Sequence, residues 1–185
     1  MKQNKEMSDS ELLDYFARHI KVGASIAFDF DGGLGPNQFT DNKRSILDYS
    51  LTEKMRGWTE MKPFPNAIPI VNVLFNQGFK VVIVTGREEK FRRVSEIWLK
   101  VYGFQYSQLI MIPKAWQTYG EYYQFKMDTI QSIQPVLVID DDFDLLVSIS
   151  QVLRIKVYLI ALQCAVRCKA RPIVCESSAI RVTGL

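Results

Sequence analysis

The sequence has little of what small metal-binding and redox proteins rely on. It contains one histidine, His19, and three cysteines, Cys164, Cys168 and Cys175, all late in its 185 residues. A structural zinc site takes four Cys/His ligands and often a C-x2-C pair. No such pair occurs and the histidine is distant in sequence, so the cysteines read as reduced thiols. No apolar run reaches the roughly twenty residues that span a bilayer, and no membrane partner is expected. The opening stretch MKQNKEMSDSELLDYF lacks the apolar core of a signal peptide, which leads us to expect a cytoplasmic protein. Charge of one sign is scarce too: Lys and Arg total 23 against 20 Asp and Glu, a net charge of +3. That balance permits an anionic substrate without demanding nucleic acid. No GxxxxGK[ST] loop is present, which leaves no sign of a kinase.

What is present is an ordinary globular composition, 48% hydrophobic and 23% charged, enough for one domain with a sizeable core. We expect a single domain over residues 1–185, with a core over about 22–162, an N-terminal helix over 8–20 and a C-terminal extension over 163–185. Ser8-Asp9-Ser10-Glu11 suits a helix start, with Leu12, Leu13, Phe16 and Ile20 as its apolar face. Strands are expected over about 25–30, 80–84, 109–112, 136–139 and 155–160. Between them, helices are expected around 43–55, over 66–75 with Asn66 as cap, over 88–102, around Lys126, and through Leu153. Gly103 closes the 88–102 helix, whose apolar face is Phe91, Val94, Trp98 and Val101. Strands alternating with helices imply a parallel sheet covered on both faces.

In such a sheet, ligands bind beyond the carboxyl ends of the strands. Three strands end in polar residues there: Asp29 and Asp31 before Gly32-Gly33, then Thr85-Gly86-Arg87, then Asp140-Asp141-Asp142. Buried carboxylates cost several kcal/mol unless paired or bound to a cation. Hard oxygen ligands with room for water and phosphate suit Mg²⁺. Thr85 offers a hydroxyl, and the N–H groups after it can face an anion. A lysine would complete the charge balance, with Lys126 the better candidate and Lys114 the second. Together these groups could clamp a phosphoryl group, with Asp29 attacking it and Asp31 giving and taking a proton.

The ordered set resembles the haloacid dehalogenase superfamily of phosphohydrolases. IAFDFDG matches the first motif, VVIVTGR the second, Lys126 the third and VLVIDDD the fourth, over about residues 26–145. The resemblance implies a Rossmann-like three-layer α/β sandwich with a parallel central sheet. It also implies an aspartyl-phosphate intermediate on Asp29, Asp31 as general acid and base, and Mg²⁺ held by Asp29, the backbone carbonyl of Asp31, and Asp140 or Asp141. Thr85, Gly86, Arg87 and Lys126 would bind the substrate phosphate. About fifty residues separate Asp31 from Thr85, which leaves a minimal cap or none, and a homo-oligomer could cover the site instead. The Thr-Gly-Arg, the charged helix with a tryptophan and the Asp-Asp pair also look like the 3′-phosphatase domain of bacteriophage polynucleotide kinase. The implied substrate is a phosphorylated small molecule or a nucleic-acid end. One position departs from the pattern: Gly33 stands where the family usually has Thr, at a cost on the order of 1 kcal/mol for the missing hydroxyl bond. That departure is the one feature favouring an alternative, a catalytically weak relative that binds phosphorylated ligands or a protein partner.

Plainer readings compete at several positions. Asp140-Asp141-Asp142 suits a solvated helix start. The stretch VLVIDDDFDLL also looks like the opening of a response-regulator receiver, but about forty residues remain after it, too few to finish that fold. Arg87 either binds phosphate or pairs with Glu88 or Glu89. Lys90, Arg92 and Arg93 read as a solvated helix face more than a nucleic-acid contact. Trp116, Tyr119, Tyr122, Tyr123 and Phe125 either stack on bases or pack. Trp98 reads as core.

Overall fold

The computed structural model describes residue 18 and residues 20–39, 46–152 and 158–160. Its centre is a five-stranded, all-parallel sheet in the order β3-β2-β1-β4-β5. The strands are β1 (Ser25–Asp29), β2 (Lys80–Glu88), β3 (Gln108–Ile112), β4 (Leu137–Ile139) and β5 (Tyr158–Ile160). The helices are α1 (Leu51–Glu60), α2 (Ala67–Asn76), α3 (Arg92–Val101), α4 (Tyr119–Ile133) and α5 (Phe143–Val152).

Alternation along the strands makes the three layers. Ile26, Phe28, Val81, Ile83, Leu137 and Ile139 point into one core, with Trp58 of α1, Leu74 of α2 and Trp98 of α3. Ala27, Val82, Val84 and Val138 point into the other, with Ile130 of α4 and Leu146 of α5. Successive strand side chains face opposite sides, so strands that are apolar on both faces hold a helical layer on each side. The three-layer parallel α/β sandwich expected from the sequence is the fold observed.

Several boundaries differ from expectation, each for a local reason. Of the helix expected around 43–55, residues 43–45 lie outside the described residues; the rest is a short 3-10 turn, Ile46–Asp48, followed by the start of α1. Ser50 and Glu53 form a reciprocal capping box that starts α1, and Pro63 lies just past its end. Asn66 occupies the cap position of α2 but makes no side-chain capping bond. Strand β2 does not stop at Val84; it runs to Glu88 through a register shift against β3 between Thr85 and Glu88. The helix expected over 88–102 begins with a 3-10 turn, Glu89–Phe91. Val101 is 72% exposed rather than core, and Phe104 packs into the core beyond the Gly103 turn instead. Of the last expected strand, over 155–160, the described part is β5, and residues 155–157 lie outside the described residues. Except for Arg18 and Ile20, the expected N-terminal helix lies outside the described residues, as do the C-terminal extension and all three cysteines. No described helix is long and apolar enough to cross a membrane.

Between β1 and β2 the described chain holds the 3-10 turn, α1 and α2, with no larger insertion. The strand order changes direction at β1: β2 and β3 lie to one side of it, β4 and β5 to the other. Such a switch point opens a crevice at the carboxyl edge.

Candidate active site

Register delivers the polar strand ends to one place. Asp29 pairs with Val84, next to Thr85, and Phe28 pairs with Ile139, next to Asp140. Lys126 comes from α4 on the far face of the sheet. Tyr122, Lys126 and Ile130 are four residues apart and share one side of that helix, so the packing of Ile130 into the core carries the lysine beneath the strand ends. Its side chain is 1% exposed, and its Nζ donates to Asp29 Oδ1 and to Asp140 Oδ2, both at 2.6 Å. Lys114, in contrast, is exposed and borders a separate hollow with Pro113 and Phe125.

Carboxylate oxygens of Asp29, Asp140 and Asp141 all lie within 4.8 Å of one another. Three carboxylates against one ammonium leave the cluster two negative charges from neutrality. The titration behaviour follows. Burial pushes the Asp29 carboxyl well above its ordinary range, against the pull of Lys126 and with Asp140 and Asp141 adding to the push. Burial, then Asp140, pushes Asp141 up to about 6. Burial works against the Lys126 ammonium, but Asp140 and Asp29 outweigh it and hold its pKa well above the usual lysine value. A group of hard oxygen ligands carrying this excess charge fits a divalent cation.

Three glycines allow the crowding. Gly32 has φ of 109°, and a Cβ there would overlap the Asp141 carboxylate. A Cβ on Gly33 would overlap the backbone carbonyl of Asp29. The turn is also closed by its own bonds, Gly32 N to Gly35 O at 2.6 Å and Leu34 N to Phe30 O at 3.0 Å. Gly33 is thus where the loop crosses the strand end at contact distance, and no threonine fits this backbone. On the neighbouring strand, a Cβ on Gly86 would overlap the ring of Tyr122.

Asp31 has a different partner from any expected. Arg87 Nε and Nη2 donate to its two carboxylate oxygens at 2.7 and 2.6 Å, and Arg87 Nη1 donates to Ser95 Oγ at 3.2 Å. The guanidinium lies 3.8 Å from the centroid of Phe30 and 4.7 Å from that of Trp58. Arg87 therefore does not pair with Glu88 or Glu89; those pair with Lys90 and Arg92. Arg87 lies within the register shift of β2 against β3 between Thr85 and Glu88, the kind of irregularity that re-aims a side chain. Thr85 is buried, and its Oγ1 accepts from Arg87 N at 3.1 Å.

Asp142 takes the plainer of its two readings. Its Oδ1 accepts from Leu145 N in the first turn of α5 and from the Tyr123 hydroxyl, while Oδ2 accepts from Tyr119. Asp140 and Asp141 belong to the cluster and Asp142 to the helix. Arg92 is likewise occupied, by Glu89, Glu96 and the Leu109 carbonyl. Trp98 is core, its Nε1 donating to Met61 O at 2.7 Å.

Above these groups opens a cavity of about 510 Å³. Asp29, Asp31, Thr85, Gly86 and Arg87 line it at the strand ends, Phe39, Lys54 and Trp58 from the side of the first core, and Trp116, Tyr119 and Tyr122 from the side on which α4 packs. Tyr123 and Phe125 pack against the second core instead. Sequence reasoning missed Lys54 and Trp58. The signal was there, because Ser50-x-x-Glu53 marks a helix start and puts residues 54 and 58 on one face.

No protein-family profile and no curated protein sequence matches the chain. Solved structures do. A chain in the structure of the Pnkp1/Rnl/Hen1 complex matches at a TM-score of 0.56 and 19% identity, over 76% of this chain and 46% of that one. A chain in the Pnkp1/Rnl/Hen1 RNA repair complex matches at 0.54 and 16%, over 74% and 42%. A haloacid dehalogenase-like family hydrolase from Streptococcus pneumoniae follows at 0.48 and 16%, over 73% and 83%. The first two likenesses show a shared fold and bear out the architecture implied by the sequence resemblance. This chain spans less than half the length of those two relatives.

Proposed function

We propose that the protein is a Mg²⁺-dependent phosphomonoesterase that works through an aspartyl-phosphate on Asp29, within the haloacid dehalogenase superfamily. The observation that carries the reading is the cluster of buried Asp29, Lys126 and Asp140 with the partly buried Asp141, whose charge excess matches one divalent cation. Asp29, the backbone carbonyl of Asp31, and Asp140 or Asp141 would hold Mg²⁺, which when bound neutralises charge between these carboxylates and the substrate phosphate.

The chain's own groups divide the remaining work. An Asp29 oxygen attacks phosphorus, the bond from phosphorus to the ester oxygen breaks, and the departing oxygen takes a proton from Asp31. Asp31 then takes a proton from water, whose oxygen attacks the phosphoryl group and frees Asp29. Lys126 and the Thr85 hydroxyl, with N–H groups at Gly86, offset the phosphoryl charge. Arg87 donates to both oxygens of Asp31; one of these bonds must give way when that oxygen carries the proton Asp31 donates, and Arg87 then orients the carboxyl through the other, a positioning residue more than a direct phosphate ligand. The substrate we favour is a nucleotide or a polynucleotide terminal 3′-phosphate. The size of the cavity supports an organic group beyond the phosphate, and the fold likeness to a chain of an RNA repair complex points the same way.

The test is release of phosphate from p-nitrophenyl phosphate and from 3′- and 5′-phosphorylated nucleotides and oligonucleotides, with Mg²⁺ and with EDTA. We expect Mg²⁺-dependent release that Asp29→Asn lowers by at least about a thousandfold. A wild-type protein inert towards every monoester would overturn this reading in favour of the alternative, a catalytically weak relative that binds phosphorylated ligands or a protein partner.

A further inference from the structure

The phosphate chemistry occupies the base of the cavity and leaves its walls unexplained. On one wall stand Trp116, Tyr119 and Tyr122, with ring centroids 5.4 to 6.2 Å apart. They are pinned at their edges: Trp116 Nε1 donates to Gly86 O at 3.2 Å, and the Tyr119 hydroxyl donates to Asp142 Oδ2 at 3.2 Å. Tyr119 is nonetheless 61% exposed. An aromatic ring held in place but left uncovered beside a site offers a stacking surface at little ordering cost.

On the other wall, Lys54 projects from α1 and lines the same cavity. The other charged groups there are matched: Asp29 by Lys126, Asp31 by Arg87, and Glu88 by Lys90. Lys54 has no ion-pair or side-chain hydrogen-bond partner among the described residues. A half-buried cation without such a partner, in a cavity whose other lining charges are paired, suits an anionic group other than the one bound at the base.

From this geometry we propose that Lys54 and the Trp116–Tyr119–Tyr122 wall form a second subsite, which takes a planar ring and a second phosphate of the same substrate. The inference rests on the phosphomonoesterase reading for what happens at Asp29, but not for what binds. The ligand chemistry is a nucleoside with one phosphate at the reacting end and another elsewhere. Its source is either a free nucleoside bisphosphate or the end of a nucleic-acid strand, where the next phosphodiester supplies the second anion.

Affinity, measured apart from turnover, tests it. Calorimetric titrations of the Asp29→Asn protein with Mg²⁺ would compare glycerol 2-phosphate, adenosine 3′-monophosphate, adenosine 3′,5′-bisphosphate and a short oligonucleotide with a 3′-phosphate. We expect the bisphosphate to bind about tenfold tighter than the monophosphate, as a charge-assisted contact provides, and Lys54→Gln to remove that preference. The monophosphate should bind at least about fivefold tighter than glycerol 2-phosphate. Tyr119→Ala should lose that margin, whereas Tyr119→Phe, which keeps the ring, should retain it. An oligonucleotide tighter than the bisphosphate identifies a strand end as the source, and equal affinities identify the free bisphosphate. Equal binding of monophosphate and bisphosphate, or a preference that survives Lys54→Gln, overturns the subsite. If this ladder of affinities holds while the wild type releases no phosphate, the phosphatase reading fails and the subsite stands. If the wild type releases phosphate but the ladder is missing, the subsite fails and the phosphatase reading stands.

Discussion

At the scale of single residues, Arg87 and Gly33 carry the most information. Arg87 is a buried cation between two aromatic rings, and it forks onto both oxygens of Asp31. Removing one member of a buried pair leaves the other charge uncompensated, which costs about 3 kcal/mol or more. Arg87→Ala should therefore lower the unfolding free energy in urea by about that amount. Arg87→Lys should recover less than half of it, because an ammonium cannot form the fork. A full recovery by lysine would show that charge alone matters at this position. Gly33 invites a different test. Placing there the threonine of the motif that the sequence resembles looks like an improvement on paper, yet a Cβ at this position meets the Asp29 carbonyl. Gly33→Thr should destabilise by about 2 kcal/mol as the loop is forced off the strand end, a fall in Tm of about 5 °C. A variant with unchanged Tm and faster phosphate release would contradict this account of the turn.

At the scale of elements, two irregularities shape the site. The first is the break in register in β2 after Thr85, within which Arg87 reaches Asp31. Sequence reading ended that strand early because Gly86 interrupts the β-branched run, and a glycine inside a strand pattern marks either an end or a bulge. The second is α1, whose start rests on the Ser50–Glu53 box: Ser50 Oγ accepts from Glu53 N at 3.3 Å, and Ser50 N donates to Glu53 Oε2 at 2.7 Å. Ser50→Ala should cost about 1 kcal/mol. Because Lys54 sits in the first turns of this helix, the same substitution should raise KM for a nucleoside bisphosphate more than for p-nitrophenyl phosphate. Parallel changes in both KM values would detach α1 from substrate recognition.

At the scale of the whole molecule, the proposed cation site draws on more than one layer of the fold. Asp29 comes from β1, Asp140 and Asp141 from just beyond β4, and Lys126 from a helix on the opposite face, so the site exists only when the layers are assembled. A cation that binds the folded state alone stabilises it by about 2.7 kcal/mol at a hundred times its Kd. Millimolar Mg²⁺ should raise Tm by about 5 °C or more, and EDTA should reverse the gain. In Asp141→Asn the metal-dependent shift should shrink, whereas the metal-free Tm should stay level or rise as one crowded charge is removed. A Tm indifferent to Mg²⁺ would count against a metal at this site.

Sequence alone determined the layers and the base of the site. Apolar strands that stop at acids, a threonine and a glycine turn state both the parallel sheet and the edge where ligands gather, because strand ends are local features of the chain. Lys126 was legible as well, through helical spacing and its place before β4. What the tertiary structure decided is pairing. It separated Asp142 from its two neighbours, turned Arg87 from Glu88 and Glu89 to Asp31, and showed that Gly33 answers to a backbone approach and not to a missing hydroxyl. It also brought Lys54 and Trp116, sixty-two residues apart in sequence, to facing sides of one cavity. Such pairings depend on how separate elements pack against one another, and no short-range pattern in the chain encodes that.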